Sequence, residues 1–143
     1  MDDEAYGKTQ RLDTRPKRKT TVMEKLYRLR IENTIVGYKK QMGNFTFYSK
    51  DLYGWSGKAI NFEFEDEFTG YKDKHDRKLF TEDIVALTAY PQEYFILTHD
   101  SLLNKYYLVN YQSSAIFEES IDLIFKEKSE ITRVAYTFEQ KNM

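Results

Sequence analysis

The segment DIVALTAYPQEYFIL (Asp83–Leu97) contains two runs that are apolar on both sides, separated by Pro91 and Gln92. A short run of this kind, rich in β-branched and aromatic residues, is typical of a strand inside a sheet that is covered on both faces. Proline cannot donate to a central ladder, so it marks a break between strands. The segment therefore predicts two inner strands, Asp83–Tyr90 and Tyr94–Leu97, in a β-rich protein.

Further segments on both sides of this one complete a set of short elements. Strands are predicted at Leu26–Ile31, Phe45–Phe47, Ile60–Glu65, Lys105–Tyr111 and Ile131–Phe138. Ile60–Glu65 has the most regular alternation of apolar and polar residues, the two-residue period of a half-buried strand. Ile116–Lys126 instead places apolar residues at helical spacing, which predicts one short helix.

Short strands at spacings of roughly ten residues are typical of small barrels and sandwiches. We therefore expect a mainly β fold, with a small SH3-like or related β-barrel around Ile84–Phe138. An N-terminal β-hairpin or sheet region is expected around Leu26–Phe64. The 143 residues suit a single domain, which we place at residues 23–143. Residues 1–22 have few large apolar side chains and are expected to form a flexible basic tail.

Composition excludes several classes of protein. The chain has no cysteine, which rules out disulfides, zinc–thiolate sites and cysteine nucleophiles, and favours a reducing, cytoplasmic compartment. The 22 basic and 23 acidic side chains leave a net charge of −1, too small to attract nucleic acid or a membrane surface by itself. No stretch approaches the ~20 apolar residues of a membrane span.

The tail contains a basic run, Arg15, Lys17, Arg18 and Lys19. It holds six of the basic and four of the acidic residues, so 16 basic and 19 acidic residues remain and the body has a net charge of −3. A flexible basic arm can neutralise phosphates without a fold of its own. The tail could therefore contact nucleic acid, which the body is not expected to bind, and a solvated leader is the interpretation we favour.

Glu63, Glu65 and Glu67 form a row of carboxylates on one side of a predicted strand. Such a row is most often a solvated acidic face. It could also hold a divalent cation, although we expect no metal site here, or dock on a basic host protein. The last use would make the protein an inhibitor of a host antiviral system, such as a nuclease complex of the CRISPR type.

An aromatic loop surrounds the sole tryptophan, Trp55, with Tyr53 and Tyr48 nearby. If these rings are exposed, they offer an interface hot spot or a stacking platform for bases. If they are buried or partly buried, they cap the core, which is the interpretation we favour. Tyr53 and Trp55 are therefore candidate binding residues.

Residues suited to catalysis are few. The two histidines, His75 and His99, both lie in polar segments between strands. Ser101 follows His99 too closely in sequence to favour triad geometry. No glycine-rich phosphate loop is present. We therefore expect no catalytic residue, no cofactor and no enzymatic activity.

The most specific stretch is FTGYKDKHDRKLFTEDIV (Phe68–Val85), in which an aromatic-Thr-Gly precedes a Lys-Asp-Lys turn and an aliphatic–aromatic pair leads into Asp-Ile-Val. It resembles the hallmark of the YopX family of phage and prophage proteins. Lys25–Arg30 and Glu130–Glu139 resemble the opening and closing strands of that family. The chain differs at His75-Asp76-Arg77, where the family usually has Asn-Gly-Lys, and at Glu82, where glycine is common. The resemblance is that of a divergent member.

The YopX family has no established biochemical activity, so the resemblance implies the kind of protein rather than a reaction. It implies a phage or prophage protein that works in the cytoplasm of a bacterial host. We expect a non-catalytic binding protein that acts through protein contacts and self-association. The motif itself is interpreted as architecture: Gly70 allows positive φ, Lys72–Lys78 forms an exposed loop, and Asp83 accepts backbone hydrogen bonds at a turn.

Overall fold

The computed structural model describes residues 24–118, 120–126 and 130–139, which form two antiparallel sheets and one short helix. The predicted tail, including Arg15, Lys17, Arg18 and Lys19, lies outside the described residues. The elements in chain order are β1 Glu24–Ile31, β2 Thr34–Met42, β3 Phe45–Ser49, β4 Phe64–Lys72, β5 Lys78–Phe80, β6 Asp83–Leu87, β7 Tyr90–Asp100, β8 Lys105–Asn110, α1 Ile121–Lys126 and β9 Ile131–Tyr136.

The first sheet has five strands in the order β3-β2-β1-β4-β5. Hairpins connect β1 to β2 and β2 to β3, so that β1 lies at the centre with β4 on its other side. Ile60 and the Ser49 carbonyl group pack directly against the backbone of Gly37. A Cβ atom at residue 37 would lie 2.7 Å from Ile60 Cδ1 and 2.8 Å from the Ser49 carbonyl oxygen. Residue 37 therefore has to be glycine for the segment around Ile60 to pack here.

The second sheet has four strands in the order β8-β7-β6-β9 and carries most of the apolar core. The inner strands β6 and β7 are the ones predicted from their apolar runs, and Val85, Phe95 and Leu97 are almost completely buried. Helix α1 covers this sheet with Ile121 and Ile124. The other buried members of the core cluster are Leu79, Leu87, Leu108 and Ile131.

The mainly β fold, the N-terminal sheet and the single short helix are confirmed, but the described strands form no closed barrel. Strands β8 and β9 each pair with a single neighbour inside their sheet, so the Ile84–Phe138 region is an open sheet. The first sheet is also larger than predicted, because β4 and β5 extend it from Phe64 to Phe80. The motif stretch therefore completes the N-terminal sheet and leads directly into the second.

Three details of the strand prediction are wrong. The strand expected at Ile60–Glu65 begins at Phe64, whose side chain is 51% exposed. Pro91 was expected to separate two strands, but it is part of β7 and follows the first residue of that strand. The register between β6 and β7 is irregular at this end, so the backbone amide donor that proline lacks costs little. The second strand, β2, was not predicted.

The hairpin loop of the motif has the predicted backbone. Gly70 has φ of 90°, and the loop Asp73–Arg77 connects β4 to β5. Residues 74–76 are exposed as predicted, whereas Asp73 is buried. Leu79 and Phe80 then enter the core, at 0% and 2% exposure. The loop therefore connects two neighbouring strands of the first sheet.

Candidate functional site

A buried charge cluster joins the two sheets at Arg28 of β1. Arg28 Nε donates to Asp66 Oδ2 at 2.9 Å, and its Nη1 donates to Asp83 Oδ1 at 2.6 Å. All three side chains are at most 2% exposed. Nη2 also donates to the Thr81 carbonyl oxygen at 3.0 Å. Because Asp66 lies on β4 and Asp83 on β6, one guanidinium ties the first sheet to the second.

Aromatic rings complete the surroundings of this guanidinium. Arg28 Cζ lies 5.0 Å from the centroid of Phe80, 4.8 Å from that of Tyr136 and 5.1 Å from that of Phe138. A cation over ring faces in a dry site is favourable, and the rings exclude water from the ion pairs. The cluster is therefore enclosed by carboxylates and rings and has no face open to a substrate.

The protonation of the cluster follows from its contacts. Burial opposes the charge on Arg28, but Asp83 and Asp66 hold the guanidinium pKa above its ordinary value. Burial raises the pKa of the Asp83 carboxyl, and the contacts with Arg28 and with the Phe80 amide, which donates at 2.8 Å, oppose that increase. The predicted turn role of Asp83 is confirmed, and its ion pair with Arg28 is an addition that the sequence did not show.

A second buried carboxylate, Asp73, organises the motif loop. It accepts hydrogen bonds from the amides of His75, Arg77 and Arg133 at 3.0 to 3.1 Å, and from the Arg77 guanidinium at 2.7 and 2.9 Å. Burial would raise the pKa of Asp73, but the Arg77 guanidinium and the three amides lower it to about 2. The ionised Asp73 therefore holds the loop to β9, together with hydrogen bonds from the Lys74 amide to the Ile131 carbonyl oxygen and from the Arg77 guanidinium to the Arg133 carbonyl oxygen, both at 2.9 Å.

We expect Asp73→Asn to destabilise the protein by about 2 kcal/mol at neutral pH, because hydrogen bonds to an ionised acceptor are lost. The folded pKa lies below the unfolded value of about 3.9, so the contribution is present above about pH 4 and is lost as the pH falls towards 2. Urea unfolding across this range should show a shallower acid loss in the variant.

The matched control is Asp76→Asn in the same loop, whose side chain is 85% exposed. It should change the unfolding free energy by less than about 0.5 kcal/mol. Equal pH profiles for the wild type and Asp73→Asn would show that Asp73 does not stabilise the loop through its charge.

A cleft of about 460 Å³ opens between the sheets, beside the motif loop. Its walls come from β1, β2, β5, β9, the motif loop and the loop that follows β3. Leu26 and Phe80 contribute buried apolar surface, and Glu24 and Asp76 contribute carboxylates. We call this cavity the seam cleft.

Four cations line the seam cleft: Lys40, Arg77, Lys78 and Arg133. Arg77 is paired with Asp73, but no ion pair joins Lys40, Lys78 or Arg133 to any carboxylate of the described residues. Sequence reasoning missed these positions because they come from three separate strands, and no local pattern brings them together. The seam cleft therefore holds positive charge that the described chain leaves without a counter-ion.

The predicted aromatic loop forms one wall of the seam cleft. Asp51 Oδ1 accepts hydrogen bonds from the amides of Tyr53 and Gly54 at 2.8 and 3.1 Å, contacts that lower the pKa of the Asp51 carboxyl. This turn leaves Tyr53 89% exposed, whereas Trp55 is half-buried with Lys40 Nζ 4.4 Å from its ring centroid. The prediction of a buried loop is thus right for Trp55 and wrong for Tyr53.

Each member of the acidic row already contacts another group of the protein, although Glu63 and Glu65 are exposed. Glu65 pairs with Lys39 at 2.5 Å, and Glu67 accepts from the Tyr106 hydroxyl at 2.9 Å. Glu63 lies before β4 and accepts from the Glu32 amide at 2.9 Å. In the part of the chain that the structure describes, His, Asp and Glu side chains form no group of three or more that could hold a metal ion.

His99 was predicted to lie between strands, but it lies within β7 and contacts the β7–β8 turn and β4. Its Nε2 is 3.0 Å from Asn104 Oδ1, and its Nδ1 is 3.5 Å from Glu67 Oε1. Burial and the hydrogen bond to Glu67 raise the pKa of Tyr106 above its ordinary value. These contacts link the β7–β8 hairpin to the first sheet, and they are the contacts of a structural brace.

In comparisons with known proteins, no family model, no curated protein and no solved structure matches this chain. Within the described ranges, no helix has the length and apolar character needed to cross a membrane.

Proposed function

We propose that this protein is a non-catalytic binding protein, encoded by a phage or prophage, which acts through protein–protein contacts in the cytoplasm of a bacterial host. One observation carries the proposal. The seam cleft combines a highly exposed tyrosine with three cations that lack an ion pair among the described residues. Aromatic residues and arginine are enriched among the anchors of protein interfaces, and Tyr53 and Arg133 supply both at this concave surface.

The non-catalytic part of the proposal is supported by what the motif carboxylates do. Asp73 and Asp83 are each bound by an arginine and by backbone amides, and both are buried. A general acid or base needs access to a substrate. Their contacts are those of structural anchors.

The resemblance to the YopX family also has support in the backbone. Asp76 and Glu82 have φ of 67° and 75°, in the left-handed region that favours glycine. These are the two positions at which the family usually has glycine. A backbone that favours glycine at both positions supports the resemblance, and with it a phage or prophage origin.

The two alternatives have less support. An inhibitor that docks through Glu63, Glu65 and Glu67 would have to displace the contacts that Glu65 and Glu67 already make. Nucleic-acid binding through Arg15–Lys19 stays a prediction, because this run lies outside the described residues.

Affinity capture from a nuclease-treated bacterial lysate tests the proposal. The tagged protein should enrich a protein partner saturably, and two differently tagged copies should report self-association. Recovery of partners only before nuclease treatment would favour the nucleic-acid alternative. Turnover of a nucleotide or nucleic acid that depends on Asp83 or His99 would contradict the non-catalytic assignment.

A further inference from the structure

We propose that the seam cleft binds a short acidic segment of a partner protein, in which aromatic or aliphatic side chains alternate with carboxylates. The inference rests on the proposed function and adds the chemistry of the ligand. It depends on the charges at the wall of the cleft and on the apolar side chains beside them.

The charges favour an anion. Lys40, Lys78 and Arg133 face the same cavity without an ion pair to a described carboxylate. Lys78 is on the short strand β5, and Arg133 Nη1 contacts the Lys78 carbonyl oxygen at 3.4 Å, so these two positions are adjacent. Carboxylates of a ligand would pair with such cations in a partly enclosed site, where screening by water is reduced.

The apolar surface favours a segment with hydrophobic side chains. The half-buried rings of Tyr38 and Trp55 line the cavity, and Tyr38 packs against the buried Phe80 with ring centroids 6.0 Å apart. Tyr53 at the edge is almost fully exposed, so a ligand side chain that covers its ring would remove apolar area from water. A volume of about 460 Å³ suits a few side chains.

The same features disfavour a nucleic-acid strand. The body carries a net charge of −3, which repels a polyanion at long range. Glu24 and Asp76 also line the cleft and would face some of its phosphates. Lys40 covers one face of the Trp55 ring, so a base cannot stack on that face. A peptide can place its carboxylates at discrete positions and avoid both acidic side chains.

The test uses fluorescence anisotropy on the full chain with three labelled probes. These are a synthetic peptide that alternates Glu and Asp with Phe and Leu, its Gln and Asn counterpart, and an oligothymidylate of equal charge. We expect saturable binding of the acidic peptide only. The double variant Lys40→Gln, Lys78→Gln should weaken that binding about tenfold, since each half-buried charge contributes a few-fold.

The matched control is Lys50→Gln, Lys105→Gln, which removes two exposed lysines outside the cleft and should weaken binding less than about twofold. Tyr53→Ala should weaken binding several-fold and leave the thermal midpoint unchanged, because the ring is exposed. Equal affinity for the neutral peptide, tighter binding of the oligothymidylate that the Lys40→Gln, Lys78→Gln variant abolishes, or equal losses in the two double variants would each overturn the inference. If one of these results is obtained while affinity capture still enriches a protein partner, the proposed function stands and the partner binds at a surface other than the seam cleft.

Discussion

Replacement of Arg28 by methionine is expected to destabilise the protein by about 3–5 kcal/mol, because it leaves buried carboxylates without their cation. Asp66 would keep Arg30, whose Nε and Nη2 both donate to it at 2.8 Å. Asp83, which is 0% exposed, would keep only the Phe80 amide among its close partners. Urea unfolding at neutral pH measures the loss, which is a large share of the stability of a small domain.

Two further variants show whether the unpaired buried carboxylate of Asp83 causes the loss of stability. Arg28→Met combined with Asp83→Asn removes the charge and keeps an acceptor for the Phe80 amide, so it should be more stable than Arg28→Met alone. Arg30→Met is the matched control, because Arg30 is 11% exposed and Asp66 would keep Arg28. If Arg28→Met cost no more than Arg30→Met, the ion pairs would not be what joins the sheets.

Phe80→Ala is expected to destabilise the protein by about 3–5 kcal/mol, through lost transfer free energy and the cavity that remains. Phe80 is 2% exposed, and its ring centroid lies 5.6 Å from that of Phe68 and 6.0 Å from that of Tyr38. It also covers the Arg28 guanidinium. Chemical denaturation measures this loss in the same way as for Arg28.

Phe45→Ala is the matched control for Phe80→Ala, since Phe45 is the same residue type on an edge strand and is 69% exposed. It should cost less than about 1 kcal/mol. A shift below about 1 kcal/mol for Phe80→Ala would mean that the side chain is not part of the core that the structure shows.

The inner strands could be predicted from sequence because their evidence is local. Asp83–Leu97 is apolar on both sides, and β6 and β7 indeed have neighbours on both edges. The exposed motif loop and the positive φ of Gly70 likewise follow from residue types within a few positions. Local patterns therefore identified most strands and the turn chemistry.

The same reasoning failed where a charge is buried. The alternation in Leu26–Ile31 places Arg28 on the polar face of its strand, and no pattern singles out Asp66, yet both are at most 2% exposed. Burial of either becomes favourable only when the other is present, and they are separated by 38 residues. No periodicity reports such a pair, so the register of Ile60–Glu65 was predicted from its phenylalanines and was wrong.

The seam cleft was beyond sequence reasoning for a related cause. Tyr53 and Trp55 were identified as candidates because aromatic residues cluster in one loop. Lys40, Lys78 and Arg133 lie on β2, β5 and β9, and only the packing of the two sheets brings them to the same cavity. A site assembled from both sheets can be seen only after the fold is known.

The central claim is that this protein works by binding a protein partner in the seam cleft, and calorimetric titration of the captured partner tests it most directly. The titration compares the wild type, the Lys40→Gln, Lys78→Gln variant and the Lys50→Gln, Lys105→Gln variant. We expect the Lys40→Gln, Lys78→Gln variant to bind the partner about tenfold more weakly, and the Lys50→Gln, Lys105→Gln control to bind it as the wild type does. Equal affinity of all three proteins for the partner would contradict it.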